Sequence, residues 1–354
     1  MTDTLLRPVP PATLTHDERS ALVDSVRRLL ADRCTEGDVR RIIDSDSGHD
    51  RALWRALADL GIAGLTVPEA HGGAGLAATE LELVMEEAGA VLLPAPLISG
   101  AIAAALVPDL DGLAAGERIA AVAFTGRHGW APGDTVAVAG GRITGTARFV
   151  ADAAIADTIL IAGDDGVFAI EAADARITPL PVFDRTRRMA DVAIDAPARQ
   201  VADAAAVAPA RDIGVVALAG EQAGGARRML EMTVAYARER HQFGRAIGSF
   251  QAIKHMAADL LLESESATSA ARDAAQQVAE RSASADAAVA LAAFACADAF
   301  VRVAKDGIQM HGGIAFTWDH PAHLYLRRAR SGAQLFGDSD GWRDRYLTAL
   351  EAQA

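Results

Sequence analysis

Only two cysteines, Cys34 and Cys296, occur in 354 residues, far apart and without metal-ligand spacing. Their scarcity excludes a disulfide framework and fits a reducing cytoplasm. Basic side chains are outnumbered, 34 against 47 acidic ones, and the balance of −13 argues against a nucleic-acid partner. A local arginine patch can still bind phosphate on an acidic protein. Residues Met1 to Leu14 hold three prolines and no apolar core of signal-peptide length. The most apolar stretch, Ala285 to Ala304, is broken by Asp286, Asp298 and Arg302, which predicts a buried bundle helix and no membrane span. What is abundant is apolar surface. Hydrophobic residues make up 51% and charged ones 23%, enough for two or three domains with sizeable cores.

The periodicity changes twice along the chain. From His16 to about Leu113 apolar residues recur at helical spacing, with Leu22, Val26, Leu29 and Leu30 as one stripe and Leu53, Trp54, Leu57 and Leu60 as the next. Gly61 stops that second helix, and a turn-rich loop through Gly72, Gly73 and Gly75 leads to a helix over Thr79 to Ala90. No strand precedes the glycines with Rossmann spacing, so they do not read as a phosphate cradle. From about Arg118 short β-type runs follow, among them Ile119–Phe124, Arg142–Val150 and Thr158–Ile161. They predict a small β-barrel or sandwich. From about Ala204 the chain is helical again and rich in alanine. The expected fold class is mainly α with a β insert: an all-α domain over 1–117, a middle β domain over 118–203 and a helical bundle over 204–354.

The bundle carries the chemistry-bearing residues. Tyr236–His255 reads as the end of one long helix, a glycine turn from Gly244 to Gly248 and the start of another, with Ser249 as N-cap. Phe250, Ile253, Met256, Ala257, Leu260 and Leu261 define a buried face on the second helix. Upstream, Gly220 and Gly224 lie one turn apart and strip one helix face to backbone, for close packing or for a groove. Glu221 beside them stands in an apolar stretch where an unpaired carboxylate is expensive, so it pairs with Arg227 or Arg228 or is catalytic. His311, His320 and His323 lack the companions of a zinc site, and no metal is expected.

Arg240-His-Gln-Phe-Gly-Arg with Ser249-Phe-Gln251, and Gln309-Met-His-Gly-Gly313, resemble the two C-terminal signatures of the acyl-CoA dehydrogenase family. Gly61–Gly75, Glu86-Glu-Ala-Gly and Gly141-Arg-Ile-Thr-Gly-Thr-Ala-Arg-Phe-Val150 resemble its N-terminal and middle domains. The resemblance covers nearly the whole chain and implies a helical, β, helical fold with FAD as cofactor. It implies lipid or steroid catabolism, an acyl-CoA substrate and an electron-transfer flavoprotein as acceptor. By the match, Arg240, Phe243, Gln251, Gln309, Gly312 and Gly313 contact the adenosine side of a neighbouring subunit's FAD. On the flavin side the pattern is thinner. Thr125 stands for a threonine that family members place on the flavin ring, but the Glu-Pro after it is missing, as is the tryptophan of the strand near Phe149.

The family abstracts an α-proton with a glutamate while a hydride leaves for the flavin. A base for that proton must be desolvated and the enolate stabilised. At the two positions where members carry this glutamate, the present chain has Phe336 and Gly214. Two readings follow. Either the base is relocated, with Glu221 and Asp338 as candidates, or the chain is a non-catalytic subunit of an α2β2 tetramer whose homologous partner supplies it.

Overall fold

The computed structural model describes residues 12–353. Five helices come first: α1 (His16–Arg33), α2 (Glu36–Asp44), α3 (Arg51–Asp59), α4 (Ala78–Ala90) and α5 (Leu97–Leu106). Thr15 and Thr35 open α1 and α2 as capping boxes with Glu18 and Asp38, each pair satisfying two otherwise free amides. Leu60, placed on a buried stripe by its spacing, is instead the exposed C-cap of α3.

Eight strands follow: β1 (Ala120–Phe124), β2 (Ala137–Ala139), β3 (Arg142–Ala151), β4 (Thr158–Gly163), β5 (Gly166–Glu171), β6 (Ala175–Pro179), β7 (Met189–Pro197) and β8 (Arg199–Ala202). They form two four-stranded sheets, ordered β1-β4-β5-β8 and β2-β3-β7-β6. The inner faces share a core that includes Ile143, Ile159, Ile161, Phe168 and Val192. Among the described residues no ladder joins the two sheets, so the small β domain is two facing sheets rather than one closed barrel. Between Ala147 and Val150 the β3–β7 register slips, and this bulge turns Arg148 and Phe149 toward the helices.

The last segment contains α6 (Val207–Glu239), a hairpin of β9 (His241–Gln242) and β10 (Arg245–Ala246), then α7 (Gln251–Ala279), α8 (Ala285–His311), α9 (Ala322–Gly332) and α10 (Ser339–Glu351). By length and composition alone α8 could cross a membrane. Its Val289, Cys296, Phe300 and Val303 are buried in the bundle, where the Cys296 thiol donates to the Ala267 carbonyl of α7 at 3.2 Å. Burial pushes the Cys34 thiol up to about 12, and Cys296 is also raised, so neither is a reactive thiolate.

Helices α4 and α6 meet backbone to backbone. A side-chain carbon on Gly89 would overlap the Glu221 carbonyl, one on Gly224 the Glu86 carbonyl, and one on Gly220 would come within 2.7 Å of the Glu82 carbonyl. The glycine face therefore serves packing, not a groove. This contact sets the depth at which Glu221 enters the molecule.

Candidate functional site

Two places gather the residues singled out in the sequence. The first is the end of the bundle where α6 and α8 stop. Arg240 caps α6, and the chain reverses through Phe243 and Gly244, whose φ angles of 54° and 78° are both left-handed. Two left-handed residues between paired Gln242 and Arg245 make the mirror-image turn that suits a two-residue hairpin. Glycine adopts this at little cost, phenylalanine does not, and Phe243 is 90% exposed. The Arg245 guanidinium lies 3.9 Å from the Phe250 ring centre and braces the turn.

Ser249 is not the N-cap of α7. Its hydroxyl donates to the Ala246 carbonyl at 2.7 Å, and Phe250 occupies the cap position. Of the six residues expected on a buried face, Leu260 is buried, Phe250, Ile253, Met256 and Ala257 are partly buried, the last three against the main core, and Leu261 is half exposed.

Gln309 lies on α8, which runs seven residues beyond Ala304 before Gly312, at φ +68°, ends it. Tyr236 of α6 stacks on His311 with centroids 4.6 Å apart, and His311 lies 4.5 Å from His320. That stack joins the two signature segments at one surface. Arg240, Gln251 and Gln309 are exposed there, and nothing lies within 4 Å of where a side chain on Gly312 or Gly313 would begin. Open backbone, amides and a guanidinium suit the phosphates and adenosine of a dinucleotide. His311 Nδ1 is bonded to the Gly307 carbonyl and His320 Nδ1 to the Ala322 amide. Among the described residues no histidine, cysteine and carboxylate trio is placed to hold a metal.

The second place is a narrow cleft where all three segments meet, with about 40 Å³ of free space. Met85, Leu97 and Ile102 of the first segment, Phe124 and Phe149 of the sheets, and Leu335 and Phe336 of the last line it. Phe336 sits at φ +67°, edge-on to Phe124 at 6.0 Å. A side-chain carbon on Gly214 would lie 3.1 Å from Phe336 Cζ and 2.7 Å from Ile102 Cδ1. The two positions left without a glutamate thus face each other, and the Phe336 ring occupies the space between them. Thr125 is buried beside Gly163 and donates its amide to Ala162; its neighbour Phe124, not Thr125, reaches the cleft.

Glu221 does line the cleft, at 2% exposure. Its partners are neither Arg227 nor Arg228. Arg187, from the loop before β7, donates Nη2 to both carboxylate oxygens at 2.6 and 2.7 Å. Arg328 of α9 adds Nε at 3.0 Å and Nη2 at 2.6 Å, and also holds the Leu93 carbonyl and the Thr186 hydroxyl. Arg227 is drawn away to Glu86 and Glu87. Burial alone would raise the Glu221 pKa, but the Arg187 and Arg328 charges override it and hold the carboxyl at about 2. Asp338 lies outside the cleft, exposed, where it accepts from the Gly341 amide at 2.8 Å and caps α10.

One carboxyl of the cleft has no sequence signal. Asp152, left-handed at φ +60°, accepts from the Ser99 hydroxyl at 2.6 Å, and burial raises its pKa. Nothing in its local sequence marks it, because its setting is made by α5 and by the bulge of β3.

Models of the acyl-CoA dehydrogenase N-terminal and C-terminal domains match residues 16–110 and 212–347. The acyl-CoA dehydrogenase IpdE2 of Mycolicibacterium smegmatis is 34% identical over 328 residues, spanning 91% of this chain and 95% of that protein. The chain belongs to the acyl-CoA dehydrogenase family. Among solved structures of the family, the ChsE4–ChsE5 complex from Mycobacterium tuberculosis matches with a TM-score of 0.85 at 29% identity, covering 96% of this chain and 98% of that one. A Tcur3481–Tcur3483 steroid ACAD variant matches with 0.84 at 29%, covering 95% and 98%. Both are named as pairs of two different polypeptides. The family's fold assigns the chemistry of an oxidoreductase acting on acyl-CoA, with FAD as cofactor.

Proposed function

We propose that the chain is a subunit of an FAD-dependent acyl-CoA dehydrogenase built from two kinds of polypeptide. Its exposed bundle end supplies Arg240, Phe243, Gln251, Gln309, Gly312 and Gly313 to the adenosine side of FAD, and a homologous chain supplies the base and most of the flavin pocket. When bound, FAD accepts the hydride that leaves the β-carbon. The observation that carries this reading is that Phe336, packed against Gly214, lines a cleft whose Glu221 is fully engaged by two arginines. A carboxylate with four charge-assisted hydrogen bonds has no lone pair poised for an α-proton and little affinity for it. The apolar side of the cleft, at Met85, Leu97, Ile102 and Phe124, is read as the place for an acyl group that this chain holds rather than oxidises. The solved two-polypeptide relatives support the assembly, and exposed Phe243, Leu261, Leu262, Phe316 and Trp318 supply apolar surface for it.

Asp152 favours a second reading, in which the chain oxidises alone: a desolvated carboxyl at the cleft is the group that would serve as base, rather than Glu221 or Asp338. One experiment separates them. The chain is purified alone and with a homologue that carries the glutamate, and flavin absorbance and acyl-CoA oxidation are followed with an artificial acceptor, then with electron-transfer flavoprotein. Flavin retention and turnover are expected in the mixture only. Turnover by the chain alone that disappears in Asp152→Asn would overturn the subunit reading.

A further inference from the structure

The turn after α4 borders two hollows. Leu93 lines the cleft, and Leu92 lines a separate groove with about 210 Å³ of free space, against about 40 Å³ in the cleft. Helices α1, α2, α6 and α9 complete the groove, and Leu30, Val39, Leu92, Met232 and Leu324 make its lining apolar. An apolar hollow of about 150 Å³ takes benzene, so this one has room for a single substituted ring.

The turn is strained at one residue. Leu92 takes a left-handed φ of 54°, with its N–H bonded to the Gly89 carbonyl and the Leu93 N–H to the Ala88 carbonyl. A helix that ends this way usually carries glycine at the left-handed position. Here a leucine stands there, and its side chain becomes part of the groove wall. Backbone strain of this kind gathers at ligand sites. Helix α9 fixes the turn at both ends: the Tyr325 hydroxyl donates to the Ala90 carbonyl at 2.6 Å, and Arg328 Nη2 to the Leu93 carbonyl at 3.3 Å.

Polar groups mark the mouth, and most are engaged. Thr35 donates its hydroxyl to Asp38 at 2.6 Å, and Glu36 is paired with Arg40 at 2.7 Å. Arg228, half exposed, makes one long hydrogen bond among the described residues, to Glu231 at 3.5 Å. Its remaining N–H groups are donors available at the mouth. The two pairs balance in charge, and the Cys34 thiol on the groove wall, raised to about 12, adds none. An incoming carboxylate would meet Glu36 and Glu231 as well as Arg228. A carbonyl oxygen accepts from the guanidinium and brings no charge.

We infer that the groove between α1, α2, α6 and α9 binds a small neutral ring compound bearing one carbonyl oxygen. The ring packs against Leu92 and Leu324, and the oxygen accepts from Arg228. Nothing in this depends on whether the chain oxidises acyl-CoA alone or within an assembly.

The test is a fluorine NMR titration of the purified full-length chain with para-fluoroacetophenone, para-fluoroethylbenzene and para-fluorobenzoate, three probes of nearly equal size. The ketone is expected to bind saturably, about tenfold tighter than the hydrocarbon, and tighter than the benzoate. Arg228→Met removes the donors and should bring the ketone-to-hydrocarbon ratio near one while leaving hydrocarbon binding in place. Ala31→Phe fills the mouth from α1 and should block all three probes. Both positions are exposed, so neither variant should change the melting temperature. Absence of saturable ketone binding overturns the inference, and so does binding that Ala31→Phe leaves unchanged. A ratio near one in the wild type, or preference for the benzoate, overturns the class of ligand. Binding that vanishes when a homologous chain is added would make the groove a subunit contact and overturns it as well.

Discussion

Replacing Glu221 with glutamine separates a structural carboxylate from a catalytic one. In the wild type its carboxylate answers two buried arginines, and it titrates at about 2 against an ordinary 4.5. At about 1.4 kcal/mol per pKa unit, that depression corresponds to roughly 3 kcal/mol of stability at neutral pH. Glutamine keeps the shape but leaves Arg187 and Arg328 without the charge that balances them, and breaking a buried pair in this way costs about 3–5 kcal/mol. The sign with pH follows from the direction of the shift. The contribution of a depressed carboxyl is complete above its unfolded pKa, near 4.5, and disappears as pH falls through the folded value near 2. Urea denaturation of wild type and Glu221→Gln, followed by circular dichroism from pH 7 downward, should therefore give a gap of a few kcal/mol that narrows below pH 4.5. Were Glu221 a base, the same variant would fold with wild-type stability and lose only turnover. A wild-type denaturation midpoint in Glu221→Gln would refute the ion-pair account.

Three further outcomes are expected. Glu82 is buried with Oε1 unpaired, and burial and then the neighbouring Glu86 charge raise its pKa well above 4.5. Its contribution to stability is full below about that value and is lost as pH rises through the folded pKa, so Glu82→Gln should equal wild type in acid and exceed it at pH of about 8 in thermal melts. Gly224→Ala drives a methyl into the Glu86 carbonyl and should cost more than about 3 kcal/mol by denaturant titration, whereas Gly100→Ala, with open space around it, should be neutral or mildly stabilising. Arg240→Ala, on an exposed cap, should leave the melting temperature of the chain unchanged and lower FAD retention in the assembled complex, read as flavin lost on gel filtration.

The order of segments was legible because periodicity is a local property: helical stripes, then alternating strands, then alanine-rich helices each announce themselves within a dozen residues. The two glycine-containing signatures were legible for the same reason, but the turn expected from Gly244 to Gly248 is a two-residue hairpin at Phe243-Gly244, followed by a short helical turn at Ile247–Ser249. What the sequence hid was every partnership formed across segments. Arg227 lies nearest to Glu221 along the helix, yet α6 turns it outward to Glu86 and Glu87, and the true partners come from the β-domain loop and from α9. Asp152 gives no pattern at all. The mutual contact of Phe336 with Gly214 needed coordinates, because two absences in a sequence carry no information about distance.

The Glu221 clamp also bears on how this gene can be cut and recombined. Its four anchors come from every part of the chain: the Leu93 carbonyl before α5, Arg187 from the loop before β7, Glu221 from α6 and Arg328 from α9. A junction at the second change of periodicity, near residue 204, would separate Arg187 from Glu221 and Arg328, charges that balance only when together, and one near residue 118 would part Arg328 from the Leu93 carbonyl. Chimeras that exchange the middle β segment with a homologue lacking the arginine should therefore accumulate as insoluble protein unless residue 221 is exchanged with it. Glu221 and Arg187 form a unit of inheritance that crosses the visible domain borders.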